Sequence, residues 1–495
     1  MRLISCAELT KMGRHIPTPF SLAVLHGQEQ RELQIETILR IVPGKRLVGL
    51  SHWQGKRVIL KLFFLANHWK DNIQRDMKGI ELLEKKGLPT AGIVYHTTTM
   101  DKQGGVLIID YLQPGKSLGR QFEETASETE KLEILQSVIE LIANCHQSGL
   151  WQQDIHLDNF ILSANTIHLL DGGGIRSKEG PLDAATSLNN LASFFAQFPA
   201  RQDFRSTTLL ASYRRRRKNL DDVELVNFDE RIQIARRQRL ASYERKLFLS
   251  TTANRCESSS SRYCVYDRSI HSSELDRFIA DPDSFIDQNR LLKDGNSSTV
   301  AEVEIDGRLF VLKRYNIKNF WHGLSRLLRP SRARHSWRNA LVLEMLGVPT
   351  PKPYLFMEER VFGIFKRRAF FLCERIQSRN LGEQLGKQLR EQLENNESDE
   401  IDFGEVLRAF KQLFSVMWDY RISHGDMKST NFLFVEGQLV VLDLDSMRRN
   451  KSGEKFGKKF RKDLARFHKN WIGTKFEPSV VKMVEETLQA IKTLG

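Results

Sequence analysis

The sequence contains no uninterrupted apolar run approaching the ~18 residues that a membrane-spanning helix needs, so no helix is expected to cross a bilayer. Cysteine is scarce: Cys6, Cys145, Cys256, Cys264 and Cys373 are scattered through 495 residues and odd in number. No pair has zinc-ligand spacing, and a disulfide framework is not expected; these are packing or surface thiols. The first residues, Met1 to His15, meet charge too early to supply the apolar core of a signal peptide. The chain is therefore expected to stay in the cytoplasm. No recognisable RNA-binding motif is present, so nucleic acid is not an expected partner despite the charge described next.

What is present is positive charge. The formal net charge is +14, on a background of 40% hydrophobic and 27% charged residues. That background is ordinary for a globular protein. Such an excess favours anionic partners, whether nucleic acid, phosphorylated sugars or the inner face of a membrane. It gathers in three clusters: Arg214 to Lys218; Arg236, Arg237 and Arg239; and Arg326, Arg329, Arg332 and Arg334. Solvated helix faces are an equal explanation for any one of them. Length alone suggests two domains, each large enough to bury a core.

The chain repeats itself. A β-branched run ends in lysine twice, Val58-Ile59-Leu60-Lys61 and Phe310-Val311-Leu312-Lys313. A helix then ends in Gly87-Leu88-Pro89-Thr90 and in Gly347-Val348-Pro349-Thr350. A hydrophobic strand follows, Val106 to Tyr111 and Ala369 to Glu374. The sharpest landmark comes last: Asp154, Asn159 and Asp171 in one copy recur as Asp426, Asn431 and Asp443 in the other, with Asn five residues after the first Asp and the second Asp twelve after Asn. Identical spacing in otherwise divergent halves marks a duplication. The first copy is assigned to 1–250, a linker to 251–270 with the serine run ending at Ser261, and the second copy to 271–495. The region 200–250 reads as helical, and Arg379 to Glu405 as an exposed helical insertion.

These residue types suit phosphoryl transfer, which needs positioning, charge neutralisation and a group that orients the attacking hydroxyl. A strand lysine, Lys61 or Lys313, can hold α/β-phosphates. An Asp at a strand–loop junction, Asp154 or Asp426, can accept a hydroxyl proton. Asn159 with Asp171, or Asn431 with Asp443, offers the hard oxygen ligands that Mg2+ prefers. The pattern resembles the protein-kinase catalytic loop and metal-binding Asp. The resemblance implies ATP and Mg2+ as cofactors, and a charge-stabilising role for Lys428. The expected fold is α+β: two tandem protein-kinase-like domains, each with a small β-rich N-lobe and a helical C-lobe.

Departures from that pattern are specific. Asp171 is followed by Gly172-Gly173 and Asp443 by Leu444-Asp445, so neither copy has Asp-Phe-Gly; a full Gly-rich phosphate loop and an Ala-Pro-Glu motif are also missing. In the first copy Gln153 is taken as the replacement for the usual catalytic-loop histidine. The acidic partner of each strand lysine is left open, with the expected position near Asp76 and Ser336 and with Glu84 and Glu344 as alternatives.

The second copy resembles the lipopolysaccharide core kinases, which phosphorylate Kdo or heptose. The carrying residues are Val311 to Asn316, Ser331-Arg332-Ala333, Ser336-Trp337, Gly347 to Pro353 and His424-Gly425-Asp426. The resemblance implies a lipopolysaccharide core glycolipid as acceptor and a peripheral location on the inner membrane. The basic clusters would hold the anionic acceptor there, and Trp321 would touch membrane or sugar. Trp337 reads more readily as core. The second copy is expected to be the more active. Alternatives are a protein or small-molecule kinase of the same superfold, or a copy that only binds and scaffolds.

Overall fold

A computed structural model describes residues 2–200, 206–217, 220, 225–316, 329–385 and 402–493. The chain divides into two compact units: Met1–Gln197 with Asp203–Ala235, and Phe198–Gln202 with Arg236–Gly495.

The first unit is built on a six-stranded antiparallel sheet of β1 (Phe20–His26), β2 (Glu29–Val42), β3 (Arg46–Trp53), β4 (Lys56–Phe63), β5 (Ile93–Thr98) and β6 (Gly105–Asp110), in the order β1-β2-β3-β4-β6-β5. Alternation along β4 turns Val58, Leu60 and Leu62 into one core and leaves Ile59 and Lys61 on the opposite face. The helix Trp69–Lys85 follows β4 and packs Ile73 and Ile80 against that second face with Leu107 and Ile109. Its end is fixed by Gly87 at φ +66, with Leu88 N–H donating to the Leu83 carbonyl at 2.9 Å; a left-handed glycine is a common helix stop. Beyond the sheet lie short strands β7 (Gly115–Ser117), β8 (Leu150–Gln152), β9 (Phe160–Ser163), β10 (Thr166–Leu169) and β11 (Ile175–Ser177), with helices Glu128–Gln147, Ala184–Phe195 and Ser206–Arg216.

The second unit repeats this plan with a seven-stranded sheet. Its strands are β12 (Asn254–Ser258), β13 (Arg262–Asp267), β14 (Leu291–Gly295), β15 (Ser298–Ile305), β16 (Arg308–Tyr315), β17 (Pro353–Val361) and β18 (Phe365–Glu374), ordered β12-β13-β17-β18-β16-β15-β14. Five strands in succession, β14-β15-β16-β18-β17, match β2-β3-β4-β6-β5 of the first sheet. Lys61 pairs across to Val48 and Leu107, and Lys313 to Val300 and Phe371. The helix Arg332–Met345 ends as its counterpart does, at Gly347 with φ +74 and Val348 N–H on the Leu343 carbonyl at 2.9 Å. Helices Phe403–Asp419, Gly453–His468 and Glu477–Thr493 form the other lobe with β19 (Ile422–Ser423), β20 (Phe432–Val435), β21 (Gln438–Val441) and β22 (Arg448–Arg449).

Residues 251–270 are not a linker. They supply β12 and β13, and Val265 and Tyr266 are fully buried in the second unit. The serines make the turn between these strands, Ser259 N–H donating to the Arg262 carbonyl at 2.8 Å. Their composition therefore marked a hairpin, since serine serves tight turns as well as linkers. The division between units falls instead after Ala235, inside the helix Phe228–Glu244. Within the expected insertion, Leu381 and Leu385 are buried rather than exposed, and 386–401 lie outside the described residues.

Candidate active site

In each unit the lysine strand, the following helix and the Asp–Asn–Asp loop converge on one cleft. The first, about 280 Å³, is lined by Lys61, Asp76, Asn159 and Asp171. The second, about 460 Å³, is lined by Lys313, Arg332, Asn431 and Asp443.

The loop is held by the same bonds in both units. Asn159 Nδ2 donates to the Asp154 carbonyl at 2.8 Å, and Asn431 Nδ2 to that of Asp426 at 2.9 Å. Leu170 N–H reaches the Asn159 carbonyl at 2.7 Å, and Leu442 N–H that of Asn431 at 2.8 Å. Thr90 and Thr350, from the repeated turns, each donate a hydroxyl at 2.8 Å to the carbonyl two residues before the second Asp. That Asp is left-handed in both, Asp171 at φ +62 and Asp443 at φ +51. This conformation is uncommon for a residue bearing a side chain and frequent at functional sites. With its amide N–H committed, each Asn presents its carboxamide oxygen. One carboxylate and one amide oxygen form a donor pair that fits Mg2+ carried by nucleotide phosphates and water. Among the described residues no group of three or more His, Cys, Asp or Glu could hold an ion unaided.

The lysines differ. Lys61 bonds both oxygens of Asp76, each at 3.0 Å, from the middle of the helix Trp69–Lys85. The corresponding helix position in the second unit is Ser336, whose hydroxyl meets Tyr315 Oη at 2.9 Å. Lys313 turns instead to the loop, 2.6 Å from Asp443 Oδ1 and 3.2 Å from Asp445 Oδ2. Burial pulls the Lys313 pKa down, but Tyr315 and the two carboxylates outweigh it and hold the ammonium above the usual lysine value. Burial likewise opposes the Asp443 charge, and Lys313 outweighs it, leaving that carboxyl below its ordinary range. Asp445 is also bonded by Arg332 at 2.7 Å. Neither Glu84 nor Glu344 pairs with a strand lysine; burial raises the Glu344 pKa.

In the second loop His424 is buried with Nε2 3.1 Å from the Leu442 carbonyl, while Asp426 N–H points to Nδ1 at 3.3 Å. These partners require a neutral ring protonated at Nε2, and burial lowers its pKa accordingly. Asp463 accepts the His424 and Gly425 N–H groups at 2.7 and 2.9 Å, and burial raises its pKa. Lys428 Nζ lies 2.8 Å from Asp426 Oδ2. In the first loop the counterpart of His424 is Gln152, not Gln153: Gln152 is buried and donates to the Leu170 and Asp171 carbonyls at 3.3 and 2.9 Å. Counting two residues back from Asp154 would have found it. His156 stands where Lys428 stands.

Several arginines of the described basic clusters have structural partners. Arg217 and Arg236 are buried, Arg217 Nη2 bonding the Leu182 carbonyl at 2.6 Å and Arg236 Nη1 the Tyr420 hydroxyl at 3.1 Å. Arg216 pairs with Glu140 at 2.8 Å, Arg237 bonds the Asp419 carbonyl at 2.9 Å, and Arg334 lies 3.6 Å over the Phe248 ring. Lys218, Trp321 and Arg326 are outside the described residues. Trp337 is core, fully buried with Nε1 on the Leu247 carbonyl at 3.0 Å. Asp445, Asp463 and Arg332 as a site residue were missed, because their roles arise from pairings 38 to 132 residues apart.

Residues 283–487 match the lipopolysaccharide kinase (Kdo/WaaP) family. The matched stretch lies within the second unit and contains its strand lysine and its Asp–Asn–Asp loop. This Kdo/WaaP match supports an ATP-dependent phosphotransferase. No curated protein matches the chain. A crystal structure of a rhoptry kinase from Toxoplasma gondii aligns at 13% identity with a TM-score of 0.27, covering 36% of this chain and 57% of that one. A likeness that slight carries no argument here.

Proposed function

We propose that the chain is an ATP-dependent sugar kinase made of two tandem kinase-like domains. Its second unit would phosphorylate a heptose or Kdo hydroxyl of lipopolysaccharide core, as a peripheral enzyme at the cytoplasmic face of the inner membrane. One observation carries the reading: Lys313, Asn431 and Asp443 line one cleft, with Asp426 bonded to Asn431, inside the stretch that matches the Kdo/WaaP family.

Lys313 positions the α/β-phosphates once it leaves Asp443. Asn431 and Asp443 hold Mg2+, which neutralises phosphate charge when bound. Asp426 orients the acceptor hydroxyl and accepts its proton, and Lys428 stabilises charge on the transferred group. Lys61, Asn159 and Asp171 form the corresponding nucleotide and metal positions in the first unit, with Asp154 in the place of the base. His156 in place of Lys428 favours the second unit as the principal catalyst.

The test is the phosphate content of core oligosaccharide, by mass spectrometry, in cells with and without the gene. The expected result is loss of one phosphate, restored by the wild type but not by Asp426→Ala. An unchanged core would reject the lipopolysaccharide acceptor and favour a protein or small-molecule kinase.

A further inference from the structure

The turn between β17 and β18 departs from three other turns of the same backbone form in this chain. A β-turn with positive φ at both central residues favours Asn, Asp or Gly first and Gly second, because a side chain there is strained. Three such turns with Gly second begin with a polar residue: Gln54-Gly55, Asp306-Gly307 and Glu436-Gly437. The fourth is Phe362-Gly363, with φ of +54 and +71. A bulky aromatic in that conformation is an outlier with a local cost. It is not offset by packing, since Phe362 is 81% exposed.

Its neighbours share the exposure. Ile364 is 60% and Phe365 42% exposed, so three large apolar side chains crowd one tip. The tip is firmly anchored: Gly363 N–H donates to the Ser260 carbonyl and Arg360 N–H to that of Ser261, both at 2.7 Å. Behind it lie Lys366, whose Nζ bonds the Arg329 backbone carbonyl at 2.8 Å, and the exposed Arg367 and Arg329. None of these three cations makes an ion pair among the described residues. The equivalent β5–β6 turn of the first unit is instead polar, closed by Asp101 accepting from Thr99 at 2.6 Å and from the Gln103 N–H at 3.0 Å.

We propose that the Phe362–Phe365 tip inserts into the interfacial layer of an anionic lipid bilayer, with Arg329, Lys366 and Arg367 against the headgroups. Apolar side chains projecting ahead of cations fit the depth profile of a membrane surface, where apolar burial and attraction to anionic lipid act together. A protein partner fits less well: a stable interface needs about 800 Å² per side, and this is a convex tip of three side chains. The proposal rests on the peripheral-membrane part of the function above and deepens it by naming the contact element.

The test is co-sedimentation of the full chain with vesicles of phosphatidylcholine, alone or mixed with phosphatidylglycerol, without nucleotide or sugar. The expected result is binding to the anionic vesicles, weakened on the order of tenfold or more in Phe362→Asn with Ile364→Thr. Asn suits this turn better than Phe, so an unchanged or raised Tm will show that the variant is folded. Phe362→Trp should also show a blue-shifted fluorescence increment, quenched by brominated lipid. Wild-type binding that the double variant retains would overturn the insertion proposal while leaving an electrostatic membrane association. No binding by the wild type would overturn the proposal and the peripheral location together. Neither result bears on the kinase reading, since no nucleotide is present.

Discussion

Lys61 Nζ sits 3.0 Å from both carboxylate oxygens of Asp76, a bridge between strand and helix that leaves Asp171 outside it. The helix can come this close because it passes directly over the loop after Asp171. A Cβ on Gly79 would lie 1.9 Å from the Gly172 carbonyl oxygen, and one on Gly172 would lie 2.2 Å from that of Asp76. The Gly172-Gly173 departure from the kinase motif thus has a packing cause at its first position. In the second unit Asn339 occupies the place of Gly79 and bonds the Leu444 and Met447 carbonyls at 2.7 and 3.0 Å.

Gly79→Ala is therefore expected to force the helix from the loop and break the Lys61–Asp76 bridge. Overpacking of this kind costs about 1–3 kcal/mol. A lowered Tm with weakened binding of a fluorescent ATP analogue by a variant carrying Lys313→Ala, which isolates the first cleft, is the expected outcome. Full retention of both would show that the contact is not needed.

The two catalytic loops should not be equivalent. Asp426→Ala is expected to abolish phosphoryl transfer, whereas Asp154→Ala should only reduce it, because Lys428 is beside Asp426 and His156 takes that place in the first loop. Initial rates of ATP-dependent acceptor phosphorylation measure this, and equal, complete loss from both changes would refute the ranking.

Asp445 joins Lys313 and Arg332, and it is only 5% exposed. Asp445→Asn removes the charge that both cations share. It should lower kcat/KM for ATP on the order of tenfold, about 1.4 kcal/mol, while Asp443→Asn should eliminate turnover. Steady-state kinetics with varied ATP separates the two, and wild-type values for Asp445→Asn would remove it from the site.

His146 is fully buried between Tyr213 Oη at 2.7 Å and Asn190 Oδ1 at 3.0 Å. Burial lowers its pKa from 6.5 to about 4. The folded state therefore resists a proton that the unfolded chain accepts. Its contribution is fully present above pH 6.5 and is lost as pH falls toward about 4, amounting to on the order of 3 kcal/mol. Denaturant unfolding of the full chain at pH 7 and pH 5 should show part of this loss, about 2 kcal/mol, and a substitution such as His146→Gln should flatten the pH dependence. An unaltered slope would exclude His146 as the source.

Trp337 tests the second core. Trp337→Ala should cost about 3–5 kcal/mol through the cavity and the orphaned Leu247 carbonyl. Thermal unfolding measures it, and a loss below about 1 kcal/mol would mean the site collapses around the change.

The duplication, the strand lysines and the Asp–Asn–Asp spacing were legible before any fold was known, because these are local patterns. Alternation sets which face a strand lysine occupies, and a Gly-Pro turn stops a helix wherever it occurs. Which side chains meet was settled in three dimensions alone. Folding paired Lys61 with Asp76 but Lys313 with Asp443 and Asp445, made a hairpin of the supposed linker, and buried Arg217 and Arg236 that charge counting had assigned to an anionic acceptor. An ion pair depends on where two side chains end in space, and residues more than a hundred positions apart carry no periodic mark of their meeting.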